Sequence, residues 1–386
     1  MADSSNVLLE NLQQQRPQIN LARPTAARMW LVSLCALLAV IQSSLSDSFS
    51  SLLVAFAAVV AAVLTESLIL YRGGGANILN ALKDGSAVAS ALILTLLLPN
   101  RISPLYAAAG AVFAMAVIKH SFGGLGSNWL NPAAGGWLFI RFSWPVAFRT
   151  ALDGSPLSLL AESLGRGVTV PQGSPLGILK IDAAFASASP LDGILRSFLN
   201  NNLFSFVGAE LPGGYIDLFG SRLPGIIADR GVLALLVGTI IIIASQVNRS
   251  WIPVVYLVVF GFLVRFAGAL PYGGEKWSGD IFFALCSGGT LAAAFLLTAD
   301  PATGAKSSGG IFLAAAAGGL LAFFARYYGA EPYGVIFAVV FVNAMLPLVR
   351  ILESRILYEK RGFPQKSRGK SSTGITPNEA SSRRYS

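Results

Sequence analysis

Ten apolar runs alternate with polar breaks along the 386-residue chain, at 29–46, 50–72, 84–100, 104–121, 131–149, 231–248, 251–271, 280–299, 309–328 and 332–352. A helix needs roughly 20 apolar residues to cross the hydrocarbon of a bilayer, and several runs reach that length. None shows the alternation with regular turns of a membrane β-barrel. The pattern predicts an all-α polytopic membrane protein of ten transmembrane helices. Five fall on each side of a polar, Gly/Pro-rich stretch from Thr150 to Arg230. The chain therefore divides into a polar N-terminus (1–27), a first membrane block (28–150), a long loop (151–230), a second membrane block (231–352) and a basic, disordered tail (353–386).

The blocks resemble one another. The third run begins Asp84-Gly-Ser-Ala and closes at Pro99; the eighth begins Cys286-Ser-Gly-Gly and closes at Pro301 at the same offset. The fifth opens Asn131-Pro132 and the tenth Glu331-Pro332. Five helices per half with Gly/Pro-interrupted members at matching positions predict an inverted repeat. In such folds irregular backbone sits at membrane depth only where protein or a ligand covers it.

Charge sets the orientation. Only 12% of the residues are charged, and the net charge is +9. Residues 351–386 hold eight Lys/Arg against three acids, a net +5, which reads as a cytoplasmic retention signal rather than a nucleic-acid face. Arg16, Arg23 and Arg28 precede the first run, which has no clear cleavage site and reads as a retained helix, not a signal peptide. With both termini cytoplasmic, the inside loops carry Arg72, Lys83, Lys119, Arg249 and Lys306, and the outside loops Arg101, Lys276 and Arg326. An odd number of helices then puts the central loop outside, in the periplasm of a cell with an inner membrane.

The candidate chemistry is sparse. Cys35 and Cys286 lie in apolar runs without CxxC spacing, so this chain alone cannot ligate an iron–sulfur cluster; packing, or a share in a cluster between subunits, remains open to them. His120 is the sole histidine, which excludes a multi-histidine metal or haem site and reads as a structural or interface residue. The most distinctive string is Lys119-His-Ser-Phe-Gly123-Gly124-Leu-Gly126-Ser-Asn128-Trp-Leu-Asn131-Pro132-Ala. Its glycines let backbone approach a flat ligand, Asn128 and Asn131 offer amide donors and acceptors, and Asn131-Pro132 suits a helix start. A Gly-rich corner explains the glycines but not the paired asparagines. Asp300, in Thr298-Ala-Asp-Pro301, caps a following turn or contacts a ligand or ion; Asp84 is its counterpart. The central stretch holds Asp182-Ala-Ala-Phe-Ala-Ser187-Ala-Ser189-Pro190-Leu191, either a plain loop or a functional one, since connections this long are usually functional or disordered.

Asp84-Gly-Ser-Ala, Gly123-Gly-Leu-Gly-x-Asn-x-x-Asn-Pro-Ala, Ser287-Gly-Gly and Thr-Ala-Asp300-Pro, in this order, resemble the RnfD/NqrB family, and RnfD more closely. Members are membrane subunits of ion-translocating Rnf and sodium-pumping quinone reductase complexes, with two inverted five-helix halves similar to urea transporters. The resemblance implies FMN in phosphoester linkage to a hydroxyl in a Ser-Gly-Ala-Thr-Pro-Leu-like loop. Ser189 takes the Thr position here; Ser187 replaces the usual glycine, and Asp182 lies one residue early for the flavin-transferase signal. Ser155-Pro-Leu is a decoy too near the fifth helix.

The resemblance further implies a second, non-covalent flavin (riboflavin or FMN) beside Asn128 and Asn131, with Gly123, Gly124, Gly126, Asn128, Asn131, Ser287, Gly288 and Asp300 as cofactor-binding candidates. The implied partners are a flavinylated G-type subunit, A/E-type membrane subunits, a C-type subunit and a flavin transferase. The expected role is electron transfer coupled to Na+ or H+ movement, by a chain that is not catalytic alone. The alternatives are a transporter or channel for a small neutral solute, and a flavin-free scaffold subunit.

Overall fold

The computed structural model describes residues 25–45, 49–72, 83–121, 123–124, 128–148, 190–202, 205, 215–221, 225–245, 251–272, 276–277, 279–298, 308–329 and 333–360. Its named elements are all helical, as expected where no water can satisfy backbone groups in the bilayer. The first half holds α1 (Thr25–Leu45), α2 (Ser50–Arg72), α3 (Ser86–Leu96), α4 (Pro104–Phe113, continuing as π-helical turns over Ala114–His120) and α5 (Pro132–Ser143). Between residues 190 and 230 come α6 (Pro190–Asn202), α7 (Tyr215–Phe219) and α8 (Ile227–Arg230). The second half holds α9 (Val232–Ala244), α10 (Trp251–Ala267), α11 (Ile281–Cys286), α12 (Thr290–Ala292, continuing as π turns over Ala293–Leu297), α13 (Ser308–Tyr327) and α14 (Gly334–Lys360). Helices α1, α2 and α13 are long and apolar enough to cross a membrane by themselves; α3, α4, α9 and α10 are shorter apolar helices. The chain is a multi-pass membrane protein.

Packing follows small residues. In the first half α2 lies against α4 and α3, and in the second α13 lies between α10 and α14. The halves meet where α1 crosses α9. There a Cβ at Gly231 would stand 2.5 Å from the Ala39 carbonyl oxygen, and one at Gly238 would stand 3.0 Å from Cys35 Cβ. Only glycine permits so close a crossing. Gln42 of α1 pins the same seam: its amide donates to Phe219 O and Ser221 Oγ, both at 3.0 Å, and its carbonyl accepts from Ala234 N at 2.7 Å. The end of the central stretch is thus fixed inside the body. Ile227 N donates to Leu98 O at 2.9 Å, and α8 is buried against α1.

The structure departs from the expected runs in three places. The eighth run is two helices, α11 and α12, separated at Ser287–Gly289. The tenth continues past residue 352 to Lys360. Lys119 and Arg326, expected as loop charges, belong to helices and are only 1% exposed, because each is drawn inward by a buried polar cluster.

Candidate functional site

Each half contains a helix that starts from a left-handed glycine. Gly85 (φ 68°) precedes α3 and Gly289 (φ 70°) precedes α12. An L side chain is strained there. The structural match is therefore Gly85 with Gly289 and Ser86 with Thr290, two residues away from the register of the sequence motifs.

A cation from a later helix holds each break. In the first half, Lys119 Nζ donates to Ser86 Oγ at 2.6 Å and lies directly on Glu66 Oε1. His120 Nε2 meets the same carboxylate oxygen at 3.3 Å. The wide π turn of α4 lets consecutive residues address one partner, a role in keeping with the frequency of such turns at functional sites. Asp84 Oδ1 accepts from Ser86 N and Ser86 Oγ, both at 2.8 Å, so this carboxylate closes the turn before α3. In the second half, Arg326 donates through Nη1 to Ala284 O and Thr290 Oγ1, and through Nη2 to Ser287 Oγ, all at 2.6 Å. Its guanidinium lies where a Gly288 side chain would be, with Cζ 2.7 Å from the Cβ position. Asp229 Oδ1 accepts from Gly289 N at 2.8 Å. A charge this deep is costly unless its hydrogen-bonding groups are met, and three acceptors converge on the two terminal nitrogens of Arg326, while Nε has no hydrogen-bond partner among the described residues.

The glycine–asparagine string occupies the corner between α4 and α5. Gly123 (φ 105°) and Gly124 (φ 87°) turn the chain, and Gly124 N closes onto Lys119 O at 3.0 Å. A Cβ at Gly124 would meet nothing within 4 Å. Asn131 caps α5, its Oδ1 accepting from Ala133 N at 3.0 Å and Ala134 N at 3.4 Å. Asn128 is 6% exposed, and its Oδ1 has no hydrogen-bond partner among the described residues. Open space at a glycine and an orphaned amide oxygen fit a flat, hydrogen-bonding ring beside this corner.

Tyr215 anchors the start of α7 on the second half, donating to both carboxylate oxygens of Asp280 at 2.7 Å. Burial, together with that carboxylate, holds its phenol above the usual tyrosine range.

Of the candidate residues, Ser287 and Gly288 come together around Arg326, Gly123, Gly124, Asn128 and Asn131 share the first-half corner, and Ser189, Gly126 and Asp300 lie outside the described residues. Cys35 and Cys286 are buried and unpaired with one another. The sequence reading did not single out Glu66, Asp229, Arg326 or Tyr256. The available signal was a charge within or beside a long apolar run, as with Glu66 in α2 and Arg326 near the end of α13.

Residues 12–358 match the family model described as NQR2, RnfD, RnfE. The chain is 30% identical over 350 residues to the D-type subunit of the ion-translocating oxidoreductase complex of Shewanella denitrificans, covering 86% of this chain and 93% of that protein. It is 28% identical over 336 residues to the D-type subunit of the proton-translocating ferredoxin:NAD(+) oxidoreductase complex of Clostridium ljungdahlii, covering 86% and 91%. Identity to the D-type subunit of the Na(+)-translocating ferredoxin:NAD(+) oxidoreductase complex of Acetobacterium woodii is 27% over 274 residues, covering 71% and 73%.

Proposed function

The chain belongs to the NQR2, RnfD, RnfE family, and we propose that it is the D-type membrane subunit of an Rnf-type ion-translocating electron-transport complex, carrying FMN in phosphoester linkage on Ser189. The observation that carries this reading is similarity to the D-type subunits of such complexes along nearly their whole length. The glycine breaks in corresponding helices of the two halves support a ten-helix inverted repeat, and the Lys/Arg excess at the two ends of the chain supports cytoplasmic termini with the central segment outside. In this reading the chain works with flavinylated, membrane and soluble redox subunits and is matured by a flavin transferase.

When bound, FMN supplies one- and two-electron transfer, and the protein supplies its placement. A hydroxyl at 189 keeps the ring on one side of the bilayer, and the tether raises its local concentration near its redox partners. A second, non-covalent flavin fits the corner of Gly123, Gly124, Asn128 and Asn131, where the amide oxygen of Asn128 would accept from a ring N–H. Ser287 and Gly288 are covered by Arg326, so their part is to hold the second-half break.

The test is ultraviolet in-gel fluorescence of denatured protein coexpressed with a flavin transferase, with mass spectrometry of the peptide spanning 181–196. Wild type should fluoresce, Ser189→Ala should not, and the peptide should carry the FMN mass. A fluorescent Ser189→Ala band moves the attachment elsewhere, and a dark wild-type band removes the flavin.

A further inference from the structure

Helix α6 turns its apolar arc outward. Along Pro190–Asn202 the helical period gathers Ile194, Leu195, Phe198 and Leu199 on one arc and Arg196, Ser197, Asn200 and Asn201 on the other. A helix on the surface of a soluble domain buries the apolar arc. Here Ile194, Leu195 and Phe198 are 65%, 43% and 61% exposed, and the half-buried residues are Arg196, Leu199 and Asn200. Ser197 and Asn201 are exposed beside them. The helix thus meets protein along Arg196, Leu199 and Asn200, and water along Ser197 and Asn201. The third sector, Ile194, Leu195 and Phe198, is an apolar patch of the kind that marks contact with a membrane or another protein.

The level of α6 follows from α7, against which it packs. Tyr215 at the start of α7 donates to Asp280, the cap of α11. The carbonyl of Phe219 at its end accepts from Gln42, three residues before the last residue of α1, or about 5 Å along the helix axis. Helix α7 therefore lies at the boundary where α1 leaves the apolar body and α11 enters it. Phe282 on the first turn of α11 stacks on Tyr215, ring centroids 5.9 Å apart, and stands 6.1 Å from the ring of Phe219. Phe282 and its neighbour Ile281 are exposed, as residues that meet acyl chains in a multi-pass protein must be. The apolar phase at the level of α6 is thus the bilayer.

We propose that α6 is an interfacial helix that lies on the bilayer, with Ile194, Leu195 and Phe198 among the acyl chains of the leaflet in which α1 ends. Such a helix sinks its apolar face about 5–10 Å into the boundary between headgroups and chains. The outward arc carries no charge, as contact with hydrocarbon demands, and Arg196 on the opposite arc suits the level of the lipid phosphates. The helix starts one residue after Ser189. On the reading of Ser189 as the flavin carrier, the tether begins at a helix fixed to the membrane surface, which confines the search of the flavin to that surface. Only this consequence rests on the flavin; the placement of α6 does not.

The test is collision accessibility of a nitroxide spin label on the full chain in lipid nanodiscs. The label is attached in turn to Ile194→Cys, Phe198→Cys, Ser197→Cys and Asn201→Cys, with Cys35 and Cys286 buried. At 194 and 198 the label should collide more often with oxygen, which partitions into lipid, than with a water-soluble nickel chelate. At 197 and 201 the order should reverse. A nickel chelate that prevails at 194 and 198 puts the arc in water, as a docking face for another protein would be, and overturns the proposal. Exclusion of both reagents there puts the arc against protein and overturns it equally. All four positions are exposed, so the fold does not hinge on any one of them. The signal requires no flavin at Ser189, so this inference and the flavin reading fail separately.

Discussion

Arg326 joins Ala284 O, Ser287 Oγ and Thr290 Oγ1, acceptors from both sides of one interrupted helix. Removing it takes one donor each from two buried hydroxyls and a carbonyl. Arg326→Met is therefore expected to destabilise the detergent-solubilised protein by about 3–5 kcal/mol, the usual scale for breaking a buried charged network, measured by thermal unfolding. Arg326→Lys should recover only part, since an ammonium lacks the planar fork. Glu66→Gln tests the first half in the same way. It leaves the Lys119 ammonium buried without its carboxylate and should also cost several kcal/mol. Glu66→Gln combined with Lys119→Met should be more stable than Glu66→Gln alone, a non-additivity expected of touching partners. By position along the chain, Lys119 and Arg326 read as loop charges near helix ends. Their partners lie 53 residues away at Glu66 and 36 at Thr290, beyond the reach of any local pattern.

At the scale of elements, caps and breaks carry the detail. Asn131→Ala removes the acceptor for Ala133 N and Ala134 N at the start of α5 and should cost about 1 kcal/mol, again by thermal unfolding. The Asn-Pro start of α5 was legible because capping is written in adjacent residues. So was the placement of the apolar runs, and small residues at the openings of the third and eighth marked the two as counterparts. What was not legible is where the eighth run breaks: α11 is already helical from Ile281, and the chain turns at Gly288 and Gly289 because Asp229 and Arg326 hold it there. The end of α14 was missed for the opposite reason. Hydropathy falls near residue 352, but Glu353-Ser-Arg-Ile-Leu-Tyr-Glu-Lys360 consists mostly of residues that tolerate or favour a helix, and the helix runs on. The glycine–asparagine corner was legible as a string of adjacent residues, whereas Glu66, Lys119, Asp229 and Arg326 at the two helix breaks were visible only as charges in or beside apolar runs.

At the scale of the molecule, the α1–α9 seam joins the halves. Gly231→Val would place side-chain atoms where the Ala39 backbone stands and should lower the yield of monodisperse protein in size-exclusion chromatography. The proposed topology makes a separate prediction. That topology puts Ser197 on α6 outside and Ser354 on α14 inside, and both residues are exposed. With Cys35 and Cys286 buried, a membrane-impermeant maleimide applied to intact cells or spheroplasts should label Ser197→Cys but not Ser354→Cys, and permeabilisation should expose both. Labelling of Ser354→Cys in sealed cells would reverse the orientation.

The length of α14 has a mechanical corollary. Its 27 residues extend about 40 Å at 1.5 Å per residue, some 10 Å more than the hydrocarbon slab requires. A helix longer than the slab tilts, bends or emerges from it, and Pro347 inside this one supplies the point at which it can bend.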